Sequence, residues 1–321
     1  MLDRRRFLLS AAGLAALTAC GGASSSGSTT GSAAAPAAGG GGFPRTVRHE
    51  QGQTTLDTTP TRVVCGTDGS ELCSTLALGV RPVGFGQRND PLKPWLRPLA
   101  EGLDSYDLSS GETSYERLVA WQPDLLLVQQ GFATDETMPR FSDVAPTVAT
   151  SFIDWRENLR QVSEALGLEQ RASELVAEKD AAIAAARERL SAAAGLRMNV
   201  VSSFDDGSLY VLNDQSPAGR LAAALGLAPL PAQQTEGEAI EQISLEQLTR
   251  VDGDLLLVQH FGDGDGSDAL KQSSLWQGLE VVQAGRVIDL AEDESDQIYF
   301  DAVLTVEPNV ALLERSLRSA L

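Results

Sequence analysis

The chain has 321 residues, 44 of them Asp or Glu and 25 Lys or Arg, and a net charge of −19 at pH 7. That balance excludes nucleic-acid binding, which needs clustered Lys and Arg. With only two histidines, His49 and His260, a resident zinc or manganese centre is not expected, and no cofactor motif stands in its place.

Met1–Cys20 reads as an export signal. Arg4, Arg5 and Arg6 form its basic end and Phe7–Ala19 its apolar run, too short for a permanent membrane span of about 20 residues. Paired arginines followed by Phe-Leu resemble the twin-arginine signal of proteins exported already folded. Leu17-Thr18-Ala19-Cys20 resembles the lipobox of bacterial lipoproteins, in which the Cys is lipidated and becomes the first mature residue; the alternative is an ordinary cleavage site with an incidental Cys. Residues 21–42 are Gly, Ser, Thr and Ala with one Pro36. Such a stretch cannot bury a core and reads as a flexible tether of roughly 25 Å reach. The expected location is the outer face of the cytoplasmic membrane, in a periplasm or at the cell surface.

About 280 residues follow, enough for two lobes. Phe43–Thr61 predicts an edge strand and turn. Arg62–Cys65 predicts a short buried strand opening into Gly66-Thr67-Asp68-Gly69, and Ser70–Leu78 a helix with Ser70 as its N-cap. Pro82–Phe85 is the next strand, Ser114–Trp121 a helix, and Asp124–Val128 and Thr147–Thr150 strands. Cys65 at a strand end and Cys73 in a helix favour two buried free thiols over a disulfide. Trp155 reads as core. Leu168–Ala194 predicts one uninterrupted helix, roughly 40 Å long: it lacks Gly and Pro, carries an apolar stripe at helical spacing, and ends at Gly195. Beyond it Met198–Ser202, Leu209–Leu212, Asp254–Val258 and Val287–Leu290 predict strands, and Leu275–Ala284 and Ala302–Leu321 helices. Asp263–Asp268 is similar to a calcium loop but lacks the Gly and Glu that such a loop spaces at its sixth and twelfth positions, and reads as an acidic turn.

Two stretches repeat. Glu116-Arg-Leu, five residues and Asp-Leu-Leu-Leu-Val-Gln returns as Glu246-Gln-Leu, five residues and Asp-Leu-Leu-Leu-Val-Gln. Leu78-Gly-Val-Arg-Pro82 is echoed by Leu225-Gly-Leu-Ala-Pro229. Chance likeness between helix–loop–strand units is the plainer explanation, but the aligned Glu, Leu and Asp favour duplication. The expectation is an α/β protein: two mostly parallel-sheet lobes (43–154 and 195–321) joined by a single long helix within a linking region (155–194). Ligand then binds between the lobes, beyond the strand ends.

These residues resemble the substrate-binding lipoproteins of ABC importers for iron siderophores, haem and cobalamin. The likeness rests on Thr59–Val64, Leu76–Gly84, Glu116–Leu127, Ser244–Leu248 and Trp276–Val287, in this order. It implies two α/β lobes bridged by a long helix, no catalysis, and one surface glutamate per lobe docking on permease arginines. The matching positions are Glu116 and Glu246; the alternative is that each is a solvated residue in a first helical turn.

Strand ends bring Asp68, Arg88, Gln130 and Phe132 to one wall of the expected cleft, together with Thr67. They bring Phe204, Asn213, His260 and Phe261 to the other, with Tyr299. Aromatics can cover the organic body of a chelate while polar groups orient it. Arg88 can pair with anionic oxygens or be a surface arginine in a loop, and His260 can be a cleft donor, an axial ligand or a satisfied structural histidine. A single clear cleft arginine favours a neutral or cationic hydroxamate chelate over an anionic catecholate. The function read from the sequence is therefore a monomeric, lipid-anchored, non-catalytic receptor passing a ferric siderophore to a permease. Haem or cobalamin binding is the alternative within the family. Outside it stand an exported hydrolase, against which G-x-S-x-G, H-E-x-x-H and P-loop motifs are all missing, and a scaffold without ligand.

Overall fold

The structure, a computed structural model, describes residues 42–228, 240–261 and 270–320. Arg4–Arg6, Cys20, most of the tether, Pro229 and the Asp263–Asp268 turn lie outside the described residues.

Strands β1 (Arg45–His49) and β2 (Gly52–Leu56) pair as an antiparallel hairpin where one edge strand and a turn were expected. Then β3 (Val63–Cys65), α1 (Ser70–Ala77), β4 (Gly84–Gln87), α2 (Arg97–Ala100), β5 (Ser105–Asp107), α3 (Tyr115–Ala120), β6 (Leu125–Gln129), α4 (Met138–Ser142) and β7 (Thr147–Thr150) build the first sheet and its helices. The strand order is β5–β4–β3–β6–β7, parallel throughout. Helices cover both faces of such a sheet, which is why β3 and β7 are buried at every position rather than at alternate ones.

Two helices follow, α5 (Trp155–Leu166) and α6 (Glu169–Arg189), separated by Gly167 at φ +72°. Next come β8 (Met198–Phe204), β9 (Leu209–Leu212), α7 (Pro217–Ala224), β10 (Ile240–Ile243), β11 (Leu255–Phe261), α8 (Ser274–Gln277), α9 (Glu280–Gln283), β12 (Val287–Asp289), α10 (Glu292–Tyr299) and α11 (Val306–Ala320). The second sheet runs β10–β9–β8–β11–β12; β8, β11 and β12 are parallel, and β9 and β10 are antiparallel at the edge.

The long helix is shorter than expected. It spans 21 residues, about 32 Å. Its last turn tightens into a 3-10 turn at Ser191–Ala193 as the chain doubles back toward β8. Ala172, Leu175, Ala186 and Leu190 are buried as the stripe requires, and so is Lys179, which bonds Glu307 on α11 at 3.0 Å. Arg189 holds Glu314 of the same helix through two hydrogen bonds of 2.7 and 2.6 Å. One apolar cluster runs from Cys65 and Leu72, through Leu159 and Val162 of α5, to Leu257 and Leu313, so a continuous core joins the two sheets.

Other boundaries move for local reasons. Gly69, not Ser70, stands at the N-cap of α1; the Ser70 hydroxyl is donated to the Asp301 carbonyl instead. The helix expected over Leu275–Ala284 is two pieces, and the freed N–H groups of Glu280 and Val281 are taken by the Asp252 carboxylate at 2.9 and 3.0 Å. The C-terminal helix starts at Val306, not Ala302. Sequence reasoning missed α10, whose first turn is three acidic residues favoured by the helix dipole.

The repeats have matching jobs. β3 and β8 are the central strands of their sheets, and β6 and β11 lie beside them. Asp124, before β6, accepts the backbone N–H groups of Thr61 and Arg62 at 2.8 Å each. Asp254, before β11, accepts the N–H of Arg197 at 2.9 Å and its guanidinium at 3.0 and 3.2 Å. Each Asp thus ties the start of one central strand to its neighbour. Gly79 and Gly226 end α1 and α7 at φ +84° and +94°, a left-handed stop that side chains resist.

Candidate functional site

A cleft of about 300 Å³ opens where the C-terminal ends of the first sheet meet the end of α10. Thr67, Asp68, Gly69 and Ser70 come from the turn after β3, Arg88 and Asn89 from beyond β4, Gln129 from β6 and Phe152 from beyond β7. Tyr299, Phe300 and Asp301 close it from the second half of the chain. The turn after β3 is held rigid from below: Glu71 Oε1 accepts the Thr67 N–H at 2.9 Å and the Thr67 hydroxyl at 2.7 Å. Asp68 Oδ2 accepts the backbone and side-chain N–H groups of Asn89, both at 3.0 Å.

Of the residues expected in the cleft, Asp68, Arg88 and Tyr299 line it, as does Thr67. Gln130 does not; its neighbour Gln129, the last residue of β6, takes that place, and Gln130 already lies in the turn beyond the strand. Phe132 lies beneath the Arg88 guanidinium, 5.3 Å from it. Phe204 and Phe261 stack at 5.1 Å, with Tyr210 edge-on to Phe204 at 5.4 Å and Tyr299 edge-on to Phe261 at 5.3 Å. This aromatic row runs from the cleft at Tyr299 across the strand ends of the second sheet.

His260 and Asn213 have other occupations. His260 faces away from the Phe204–Phe261 pair, since it alternates with Phe261 along β11. Its Nδ1 meets Ser203 Oγ at 2.8 Å and its Nε2 meets Asp289 at 2.5 Å. Lys271 bonds the other Asp289 oxygen at 2.5 Å. Burial opposes the Asp289 charge, but the His260 and Lys271 bonds outweigh it and hold the carboxyl below its ordinary value. A hydroxyl, an imidazole and a carboxylate in line have the composition of a nucleophile relay. Ser203, however, is 3 % exposed, and the set pins three strand ends together. Asn213 is buried and shapes the turn into α7, its Oδ1 accepting the Gln215 N–H at 2.9 Å.

The residues sequence reasoning missed form the seam between the sheets. Asp301 Oδ2 accepts the Trp155 backbone N–H at 3.1 Å and the Arg220 guanidinium at 2.6 Å. Arg220 also donates to the Ile153 and Gln215 carbonyls. Burial pushes the Asp301 carboxyl up to about 6, the Arg220 charge opposing only in part. Nearby, Lys93 pairs with Asp296, and Trp95 packs on Phe300 at 5.6 Å. A second hollow of about 360 Å³ lies against Trp155, Ile183 and Leu221 and shares Asp301 and Arg220. No periodicity flags this region, since Asp301 sits in an irregular stretch between α10 and α11.

Glu116 in α3 and Glu246 in the 3-10 turn Leu245–Val251 are both exposed, while Leu118 and Leu248, two residues on, are fully buried. Cys65 and Cys73 are free and buried. Among the described residues no group of three or more His, Cys, Asp or Glu is placed to hold a metal ion, and no helix is long and apolar enough to cross a membrane.

Two α/β sheets joined by a helical link, with a cleft between the strand ends of the first and the end of α10, have the architecture of a two-lobed binding protein. Residues 108–294, more than half the chain, match the periplasmic binding protein family, and the chain belongs to it: a family of substrate-binding proteins, not of enzymes. The iron(3+)-hydroxamate-binding protein FhuD of Bacillus subtilis is 26 % identical over 280 residues, covering 85 % of this chain and 86 % of the relative. The ferric enterobactin-binding periplasmic protein FepB of Escherichia coli is 28 % identical over 292 residues, covering 84 % and 91 %. Staphylococcus aureus SirA, complexed with staphyloferrin B, has the same fold at a TM-score of 0.75 and 21 % identity, covering 85 % of this chain and 98 % of its own. Streptococcus pneumoniae PiaA in complex with ferrichrome has it at 0.70 and 21 %, covering 86 % and 99 %.

Proposed function

We propose that this chain is a non-catalytic receptor that captures a ferric siderophore, a hydroxamate in preference to other chelates, and delivers it to an ABC importer permease. The observation that carries the reading is the cleft itself. It combines a polar wall, an exposed arginine over Phe132 and a continuous aromatic row, the combination that covers a bulky chelate and orients it, in a chain matched over most of its length by ferric-siderophore binders.

Three further parts belong to the proposal. Residues 43–154 and 195–321 act as lobes about the linking region 155–194, and closure is modest because the core runs through that link. Glu116 and Glu246 dock on permease arginines. Their support is the equivalent place each holds before the strand beside its central one, with an exposed apolar neighbour, Val119 at 57 % and Leu245 at 45 %. Arg4–Arg6 direct twin-arginine export, and lipid on Cys20 anchors a monomer outside the cytoplasmic membrane.

The test is fluorescence titration of the purified protein with ferric hydroxamates, ferric catecholates, ferric citrate, haem and cobalamin. Trp95 against Phe300 is the reporter. Saturable binding of a ferric siderophore is expected. Binding of haem or cobalamin alone overturns the siderophore reading, and silence toward all of them, repeated by calorimetry, overturns the receptor.

A further inference from the structure

The floor of the cleft offers acceptors whose neighbours' hydrogens are already spent. The Thr67 hydroxyl donates to Glu71 at 2.7 Å, and the Ser70 hydroxyl to the Asp301 carbonyl at 3.0 Å. Neither has a proton left for a ligand. Asp68 is 3 % exposed and lines the cleft; Asn89 occupies its Oδ2, and its other oxygen keeps its lone pairs. Beneath it Glu71 is 0 % exposed, and its Oε2 has no hydrogen-bond partner among the described residues.

Gly69 stands between this group and the cleft, and Asp68 is the acid that reaches the cleft itself. A Cβ there would stand 2.6 Å from Thr67 Oγ1 and 2.8 Å from both Gln129 Oε1 and Glu71 Oε2. Three oxygens therefore converge where the side chain is missing, on a residue that lines the cleft. Burial first, and the Asp68 charge with it, push the Glu71 carboxyl up to about 7, as happens where carboxyls crowd a dry site. Arg88 lines the same cleft but is exposed, over Phe132, where solvent screens its charge more than that of the buried Asp68, and Arg220 is committed to Asp301.

Resting on the receptor reading above, we propose that Asp68, with Glu71 and Gln129 gathered at Gly69, sets the charge of the ligand. This floor accepts a chelate that presents an ammonium, hydroxyl or amide N–H, as a neutral or cationic ferric trihydroxamate does. It disfavours polyanionic ferric tricatecholates and ferric citrate. At an effective dielectric constant of about 20, each chelate charge about 7 Å from Asp68 changes affinity by roughly fifty-fold before solvent screening.

Calorimetry on the purified protein tests this with four probes: a neutral ferric trihydroxamate, one with a pendant ammonium, a ferric tricatecholate and ferric citrate. Wild type is expected to bind the hydroxamates at least about ten-fold more tightly than either polyanion. Asp68→Asn is expected to narrow that gap by about ten-fold, chiefly by improving polyanion binding. A wild type that binds a polyanion as tightly as the hydroxamates overturns the inference and leaves the receptor standing, as does a folded Asp68→Asn protein with the wild-type ratio. If that variant does not fold, salt decides on wild type: screening must improve polyanion binding relative to the neutral chelate, and the opposite trend overturns the inference. Failure to bind any ferric chelate removes both the receptor and this floor's role.

Discussion

Asp301→Asn keeps the shape of the seam residue, and an acceptor for the Trp155 N–H and for Arg220, while removing the charge. Burial, opposed in part by Arg220, raises this carboxyl from 3.8 to about 6 in the folded protein; in the unfolded chain it titrates near its ordinary value of about 3.9. Between those limits the folded protein holds a proton that the unfolded chain has released. The group's contribution to stability is therefore fully present below about pH 4 and is lost as the pH climbs to about 6, a fall of about 3 kcal/mol. Urea denaturation of wild type and variant from about pH 4 to pH 7 measures it. The other carboxyls are common to both proteins and cancel in the difference between the two curves. Wild type should lose about 3 kcal/mol relative to Asp301→Asn across this window, with a flat difference above it. A constant difference from about pH 4 to 6, or one of opposite sign, would refute the burial argument.

The duplicated aspartates give a second test. At Asp124 burial opposes the charge, but bonds from Thr61 and Arg62 hold the carboxyl below its ordinary value. Asp124→Ala should therefore cost about 1–3 kcal/mol near neutral pH, a penalty that fades as acid protonates the wild-type group; Asp254→Ala, at a more exposed site, should cost less by the same urea assay. Glu116→Lys with Glu246→Lys should abolish uptake by cells while leaving ligand affinity unchanged; an equal loss of affinity would sink the docking assignment. Burial raises both thiols, Cys65 and Cys73, so the native protein should leave a thiol reagent unreacted until denaturant is added. Leu159→Ala, at a fully buried position of the linking core, should cost about 2–5 kcal/mol in the same denaturation assay.

Local chemistry made much of the fold legible. The run Leu125–Val128 is apolar at every position because both faces of a parallel sheet are covered, and that leaves a plain mark on the chain. The Ala-, Glu- and Arg-rich stretch that became α6 carries its own helix preference. The two Glu-x-Leu…Asp-Leu-Leu-Leu-Val-Gln frames located equivalent strands, because Asp124 and Asp254 each repeat one backbone-latching task.

The cleft was legible only in part. Asp68 and Arg88 could be placed from strand ends, since a strand–turn boundary is a local feature. Choosing Gln129 over Gln130 required knowing where β6 stops, a matter of one residue. His260 was drawn toward Ser203 and Asp289, partners 57 and 29 residues away.

What the sequence determined alone is what short-range forces decide: the α/β alternation, the repeat, the long helix and the acidic surface. The tertiary structure decided which side chains meet. Asp301 finds Ser70, Trp155 and Arg220 from 231, 146 and 81 residues away, and α10, nearly without apolar pattern, joins the seam because β11 and Lys93 present partners to it. Such contacts depend on burial and on the distance between folded elements. Neither quantity is a property of any single stretch of chain.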